Sequence, residues 1–118
     1  MRTAVLLCLA LALVFTSFAV ADLAVDIQVA PVQIVLKAPT PWLTVHADIP
    51  YSAVQSRSVC VNGLDADRVF PDDRGDLVAK VDSDRIKALV APPSAEITLT
   101  GLTTDGEPFN GSAVVRVK

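Results

Sequence analysis

The chain has 118 residues, of which 52% are hydrophobic, and its formal net charge is −3 at pH 7. This length is typical of one domain. The acidic residues cluster between positions 65 and 76, whereas a phosphate-binding surface needs clustered Lys and Arg, so nucleic acid is excluded as a partner. Anionic membrane surfaces are disfavoured for the same reason.

The first 21 residues have the pattern of a cleavable signal peptide. Arg2 supplies a positive start, an apolar run follows, and Ala19 and Ala21 fit the small-residue cleavage pattern. A membrane-spanning helix needs about 20 apolar residues, so cleavage is favoured over a retained anchor. We therefore expect export to the periplasm or the cell exterior. Residues 22–118 would form the mature domain, which makes no membrane contact after cleavage.

The first part of this domain, residues 23–36, alternates apolar and polar side chains, as half-buried β-strands do. Pro31 interrupts the alternation, which indicates a kink or a strand that switches between sheets. The side chains predicted to face the core are Leu23, Val25, Ile27, Val29, Val32, Ile34 and Leu36.

The next predicted strand, residues 42–49, ends at Pro50 and has two distinct faces. The core-facing set is Leu43, Val45, Ala47 and Ile49. On the opposite face Trp42, Thr44 and His46 form a candidate interaction surface, because exposed aromatic residues are enriched at binding surfaces.

A β-hairpin is predicted at Asn62-Gly63, the strongest two-residue turn signal. Val59 and Val61 precede the turn and face the core, so Cys60 between them faces outward. The turn pairs Cys60 with Asp65, whose charge is costly to bury. We therefore expect Cys60 to be an exposed free thiol. The mature protein would be a monomer, with a Cys60-linked dimer as a minor product.

An acidic loop follows at residues 71–75. Asp72, Asp73 and the nearby Asp76 are candidate metal ligands, because carboxylate oxygens are the natural ligands of calcium. Arg74 reduces the local negative charge, and the regular spacing of aspartates in a calcium-binding loop is missing. A solvated turn is therefore favoured over a metal site, and no cofactor is predicted.

The remaining chain predicts a strand, a short helical turn and a final hairpin. The strand carries Leu77, Ala79 and Val81, and the helical turn at 83–90 is capped by Asp82 or Ser83.

The final hairpin turns at Asp105-Gly106 and has an inward-facing set on its return arm. A two-residue turn would pair Leu102 with Phe109 and mix the two faces, although directly opposed residues must share a face. We therefore predict a β-bulge near Thr100-Gly101, which brings Ile97 opposite Ala113. The inward-facing set is Phe109, Ala113, Val115 and Val117.

About seven strands and one short helical turn predict an all-β fold, an antiparallel β-sandwich rather than a small barrel. The stretches IPYSAV, SVCVNG, DDRGDLVAKVD and ITLTGLTTDGEPFNGSAVVRV resemble the immunoglobulin-like modules of bacterial exported proteins, which are often found near the C-terminus of larger secreted chains. The resemblance covers most of residues 41–118 and implies an immunoglobulin-like sandwich, but no activity. Some relatives carry a calcium-like aspartate loop, from which residues 72–76 depart.

No enzyme is expected, because His46 is the only histidine and would have to serve any nucleophile and base pair. The sequence instead favours a non-catalytic exported structural or interaction module, which acts in adhesion, assembly or partner binding through a sheet face or a strand edge. Its partner would be an envelope or extracellular protein. The alternative is a small-ligand or calcium-binding domain that uses the acidic loop 72–76.

Overall fold

The structure is a computed structural model that describes residues 23–39 and 41–118. The predicted signal peptide, residues 1–21, lies outside the described residues. The strands are β1 (Leu23–Ala24), β2 (Ile27–Ala30), β3 (Gln33–Ile34), β4 (Trp42–Pro50), β5 (Cys60–Val61), β6 (Leu64–Asp65), β7 (Arg68–Pro71), β8 (Asp76–Asp82), β9 (Ser94–Leu102) and β10 (Pro108–Val117). Two 3-10 turns, Tyr51–Ala53 and Ser56–Ser58, follow β4, and helix α1 (Ser83–Lys87) follows β8.

The strands form two sheets. The larger sheet has the order β1-β10-β9-β5-β6, with β3 also paired to β10, and the smaller sheet has the order β2-β4-β8-β7. Neighbouring strands are antiparallel except for β1 and β3, which run parallel to β10. The predicted all-β, two-sheet architecture is therefore confirmed. No helix in the described part of the chain is long and apolar enough to cross a membrane.

The first segment of the described chain belongs to both sheets. It pairs with β10 as β1, crosses to β4 as β2, and returns to β10 as β3 after Pro31, so the predicted switch is confirmed. Between β1 and β2, where the chain crosses from one sheet to the other, the Val25 N–H donates a hydrogen bond to the Asn110 carbonyl of β10 at 2.9 Å. Leu23 and Val32 are exposed, contrary to the prediction, because a strand that changes sheets does not keep one face toward the core.

The core lies between the sheets and is built from the alternating positions that the sequence predicts. All four inward residues of β4 are buried, as are Leu77, Ala79 and Val81 of β8. The buried core residues of the larger sheet are Ile34, Val61, Ile97, Leu99, Phe109 and Val115.

The hairpin at Asn62-Gly63 is confirmed. Both turn residues have the left-handed backbone conformation, with φ of 50° and 80°, which glycine and asparagine adopt most readily. Cys60 pairs with Asp65 as predicted.

The predicted exposed free thiol at Cys60 is wrong. Cys60 is 0% exposed and disulfide-bonded, although Val61 beside it faces the core as expected. Its strand lies between β9 and β6, so Thr100 and Asp65 flank it on both sides, and its sulfur lies 3.8 Å from Asp65 Oδ1. Its burial gives no support to a Cys60-linked dimer.

The helical turn is capped as predicted, since Asp82 accepts a hydrogen bond from the Asp84 N–H at 2.9 Å. Strand β7 was not predicted. It lies at the edge of the smaller sheet, where a short strand with a charged residue at one end and proline at the other is stable through its pairing with β8.

The final hairpin has the predicted register but not the predicted bulge. Ala113 lies opposite Ile97, as expected, yet pairing is regular from Ser94 to Leu102. The extra residue lies in the turn, because Leu102 pairs with Pro108 and the Thr103 N–H donates to Glu107. A wider turn with Gly106 in the left-handed region replaces the bulge at Thr100-Gly101.

Candidate functional site

The candidate site is the side of the smaller sheet that faces away from the core, called here the outer face. Strand register arranges its side chains in rows that cross the four strands. The central row is Gln28, His46, Val78 and Phe70, and the row on one side of it is Ala30, Thr44, Lys80 and Arg68. Trp42 lies beyond that second row, opposite Asp82.

The predicted surface residues Trp42, Thr44 and His46 therefore do share the face opposite the core. Their exposure differs: the His46 side chain is 48% exposed, whereas Trp42 and Thr44 are half-buried. His46 is consequently the member of this group that a partner can contact most readily.

A hollow lies at the centre of the outer face. Val78 is 1% exposed although its side chain points away from the core, and the hollow around it is lined by His46, Phe70 and Lys80. Two cations lie over the Phe70 ring, with the Lys80 ammonium 5.7 Å and the Arg68 guanidinium 5.9 Å from its centroid. Both distances fit cation–π contacts, which hold the ring in place on the sheet.

An acidic groove adjoins this hollow and has a row of aspartates along it. Its lining includes His46, Gln28 and Arg74, together with Asp26, Asp48, Asp72 and Asp76. His46 Nδ1 lies 3.8 Å from Asp72 Oδ2. The sequence treats the surface on β4 and the acidic loop as separate candidates, whereas the structure brings them together at this contact.

Asp72 organises the acidic loop. Its Oδ1 accepts hydrogen bonds from the N–H groups of Arg74 at 2.8 Å and Asp76 at 2.9 Å. The hydrogen bond from the Asp76 N–H is the main reason why the pKa of Asp72 is lowered, and partial burial opposes the shift. The Arg74 N–H, the charge of Arg74 and the charge of His46 lower the pKa further.

This arrangement favours a hydrogen-bonded turn over the calcium site. Arg74 Nη2 lies 3.4 Å from Asp76 Oδ2, so a cation of the chain itself occupies the neighbourhood of that carboxylate. Within residues 23–39 and 41–118, no three His, Cys, Asp or Glu side chains are placed to hold a metal ion. Asp73 is exposed and makes no hydrogen bond or ion pair among the described residues.

The lowered pKa of Asp72 predicts how the loop responds to acid. A depressed pKa contributes stability above the ordinary pKa of the group, and this contribution is lost as the pH falls through the lower, folded value. Asp72→Asn should therefore melt below the wild type at pH 7, and the two melting temperatures should converge as the pH falls below the ordinary pKa of the carboxyl group.

The matched control for this experiment is Asp73→Asn, which removes one negative charge from the same loop. Its melting temperature should follow that of the wild type at each pH, since the Asp73 carboxylate holds no backbone N–H. A difference between Asp72→Asn and wild type that widens in acid would contradict the role given to Asp72.

No family model matches the chain, and no curated protein matches it significantly. What the chain binds must therefore be inferred from the chemistry of its own surfaces.

Proposed function

We propose that this protein is an exported, non-catalytic interaction module of immunoglobulin-like type, which binds a protein partner in the envelope or outside the cell. The outer face of the smaller sheet is the proposed binding surface. The observation that carries the proposal is the composition of its central row, where the exposed His46 and the half-buried Phe70 flank the buried Val78, between a row of aspartates and two cations. Protein interfaces have this anatomy, with an aromatic and apolar centre and a charged rim.

The chemistry of the hollow and of the acidic groove supports binding rather than catalysis. Their lining within the described chain includes no serine or cysteine that His46 could activate. The acidic partner of His46 is Asp72, whose other oxygen is engaged by two backbone N–H groups of its own loop. These hydrogen bonds close the loop 72–76 on itself, which gives a partner a fixed surface.

The immunoglobulin-like type is supported by the way the first segment connects the sheets. Two mainly antiparallel sheets share one core, and the segment from Leu23 to Ile34 contributes strands to both of them. Immunoglobulin-like sandwiches of about this size are found in many cell-surface domains. Export itself rests on the signal-peptide pattern of residues 1–21.

Site-specific photo-crosslinking in the intact cell envelope would test the proposed surface. A photoreactive amino acid at Thr44 should give adducts with a partner protein, because Thr44 lies beside the central row. Thr98 is the matched control, since it is a half-buried threonine of the larger sheet, where it contacts Ser112. Equal adduct yields at Thr44 and Thr98 would overturn the proposal.

A substitution at His46 provides the second arm of this test. His46→Ala should lower the adduct yield at Thr44 while leaving the melting temperature within about 2 °C of the wild type, because an exposed side chain contributes little to stability. Trp42→Ala is also expected to weaken capture. Trp42 is half-buried, so its variant must be compared at equal folded fraction. An unchanged yield with both variants would place the binding surface elsewhere.

A further inference from the structure

The two rows that flank the central row of the outer face carry opposite charges. The row on one side contains the aspartates, with Asp26 and Asp48 exposed, and Arg74 beside them, whereas the row on the other side contains Arg68 and Lys80. Beyond Lys80 lies one more pair, Trp42 and the exposed Asp82. A two-fold rotation makes such a surface complementary to itself, provided that the rotation exchanges the aspartate row with the row of Arg68 and Lys80.

The rotation that satisfies this condition has its axis in the plane of the face, along the central row and perpendicular to the strands. It places the aspartate row of one copy over Arg68 and Lys80 of the other, and the reverse contact forms at the same time. The central residues then pack against their own counterparts, so that the half-buried Phe70 ring and the exposed His46 side chain of each copy lose contact with water. An axis parallel to the strands would instead oppose aspartates to aspartates, which like-charge repulsion disfavours.

We propose that the partner of the outer face is a second copy of this chain, paired face to face with its strands reversed. This inference rests on the proposed function, since it requires the outer face to be a binding surface. Unlike a Cys60-linked dimer, the pair is non-covalent and held by charges near solvent, so salt should weaken it.

The size of the face indicates a weak dimer. Four strands about 4.8 Å apart and four rows about 6.7 Å apart cover roughly 500 Å² in each copy. The pair therefore buries about 1,000 Å² in total, which is the lower limit for a specific interface. Self-association should accordingly depend on protein concentration, with monomer and dimer in rapid exchange.

Sedimentation velocity over a range of concentrations would test this proposal on the mature protein. The wild type should shift from monomer to dimer as concentration rises, and added salt should reverse the shift. Arg68→Glu with Lys80→Glu makes the rows on both sides of the central row acidic and should weaken self-association at least about tenfold. Lys37→Glu with Lys118→Glu is the matched control, because these exposed lysines lie off the face and their reversal changes the net charge equally.

A mixing experiment shows whether a charge-reversed variant fails to self-associate because its face is no longer complementary in charge or because it does not fold. Asp26→Lys with Asp48→Lys makes the face more basic, and this variant should also self-associate weakly. An equimolar mixture of the acidic-face and basic-face variants should form a heterodimer, which unfolded proteins would not do. A mixture that stays monomeric while both variants melt cooperatively would overturn the proposed pairing.

The crosslinking at Thr44 distinguishes failure of this inference from failure of the proposed function. Adducts between two copies of the chain support both. Adducts only with another protein, together with a wild type that is monomeric at every concentration, overturn self-pairing and leave the binding surface in place. Equal yields at Thr44 and Thr98, with no dimer in sedimentation, overturn both.

Discussion

Phe109→Ala is expected to destabilise the protein by about 3–5 kcal/mol, the usual cost of truncating a buried phenylalanine. Phe109 is 1% exposed and is the largest fully buried side chain of the core. It lies on β10 directly opposite Gly101 of β9. The glycine leaves room for the ring, since a Cβ at position 101 would lie 2.6 Å and 2.8 Å from two ring carbons. Chemical denaturation of the two proteins would measure the loss.

A double-mutant cycle tests this contact separately from the general cost of a cavity. Gly101→Ala alone should cost about 1–3 kcal/mol, because the added methyl group overpacks the core against the ring. In the Phe109→Ala background the same substitution should cost much less, since the ring is no longer there. Equal costs in the two backgrounds would contradict the proposed fit between Phe109 and Gly101.

The parts of the fold that sequence predicts well are those in which local pattern and burial agree. In β4 every second residue is apolar and every one of these is buried, so alternation alone assigns the faces. The turn at Asn62-Gly63 and the cap at Asp82 are equally local, because each depends on residues within a few positions.

The errors occur where contacts between distant segments decide the outcome. The prediction for Cys60 used its alternation with Val59 and Val61 and its pairing with Asp65, whereas burial also depends on what lies over that side of the sheet. In the final hairpin, the prediction was wrong only in the position of one residue. The inward-facing residues of the two strands can lie opposite each other only if one extra residue is present, but the sequence pattern does not determine whether that residue lies in the strand or in the turn.

The candidate site was predicted in two pieces that only the fold could join. Alternation places His46 on the outer face, and composition marks residues 72–76 as acidic, but nothing local relates the two. They meet because β8 lies between β4 and β7, which brings the loop after Pro71 to the end of the row that contains His46. Phe70 was missed because β7 was not predicted. Lys80 lies on the predicted strand β8, but only the pairing with β7 brings it beside Arg68 and Phe70.

Gly111→Ala is the second substitution expected to have a large effect, because it acts on the crossing between the sheets. A Cβ at position 111 would lie 2.4 Å from the Val25 carbonyl oxygen and 2.8 Å from Ile27 Cγ2. A backbone oxygen cannot rotate away as a side chain can, so the segment from β1 to β2 must move. We expect a loss of about 1–3 kcal/mol or more.

The loss should be visible at the crossing itself. The Val25 N–H, which donates to the Asn110 carbonyl, should exchange with solvent faster in Gly111→Ala than in the wild type. Ser112→Ala is the matched control, since Ser112 is exposed on the next position of β10 and its substitution should change stability by no more than about 0.5 kcal/mol. Gly111→Ala could instead be as stable as Ser112→Ala, with equally slow exchange of the Val25 amide with solvent. The first segment would then not pass as close to Gly111 of β10 as the structure places it. In that case the first segment would be attached mainly through the pairing of β2 with β4 and of β3 with β10.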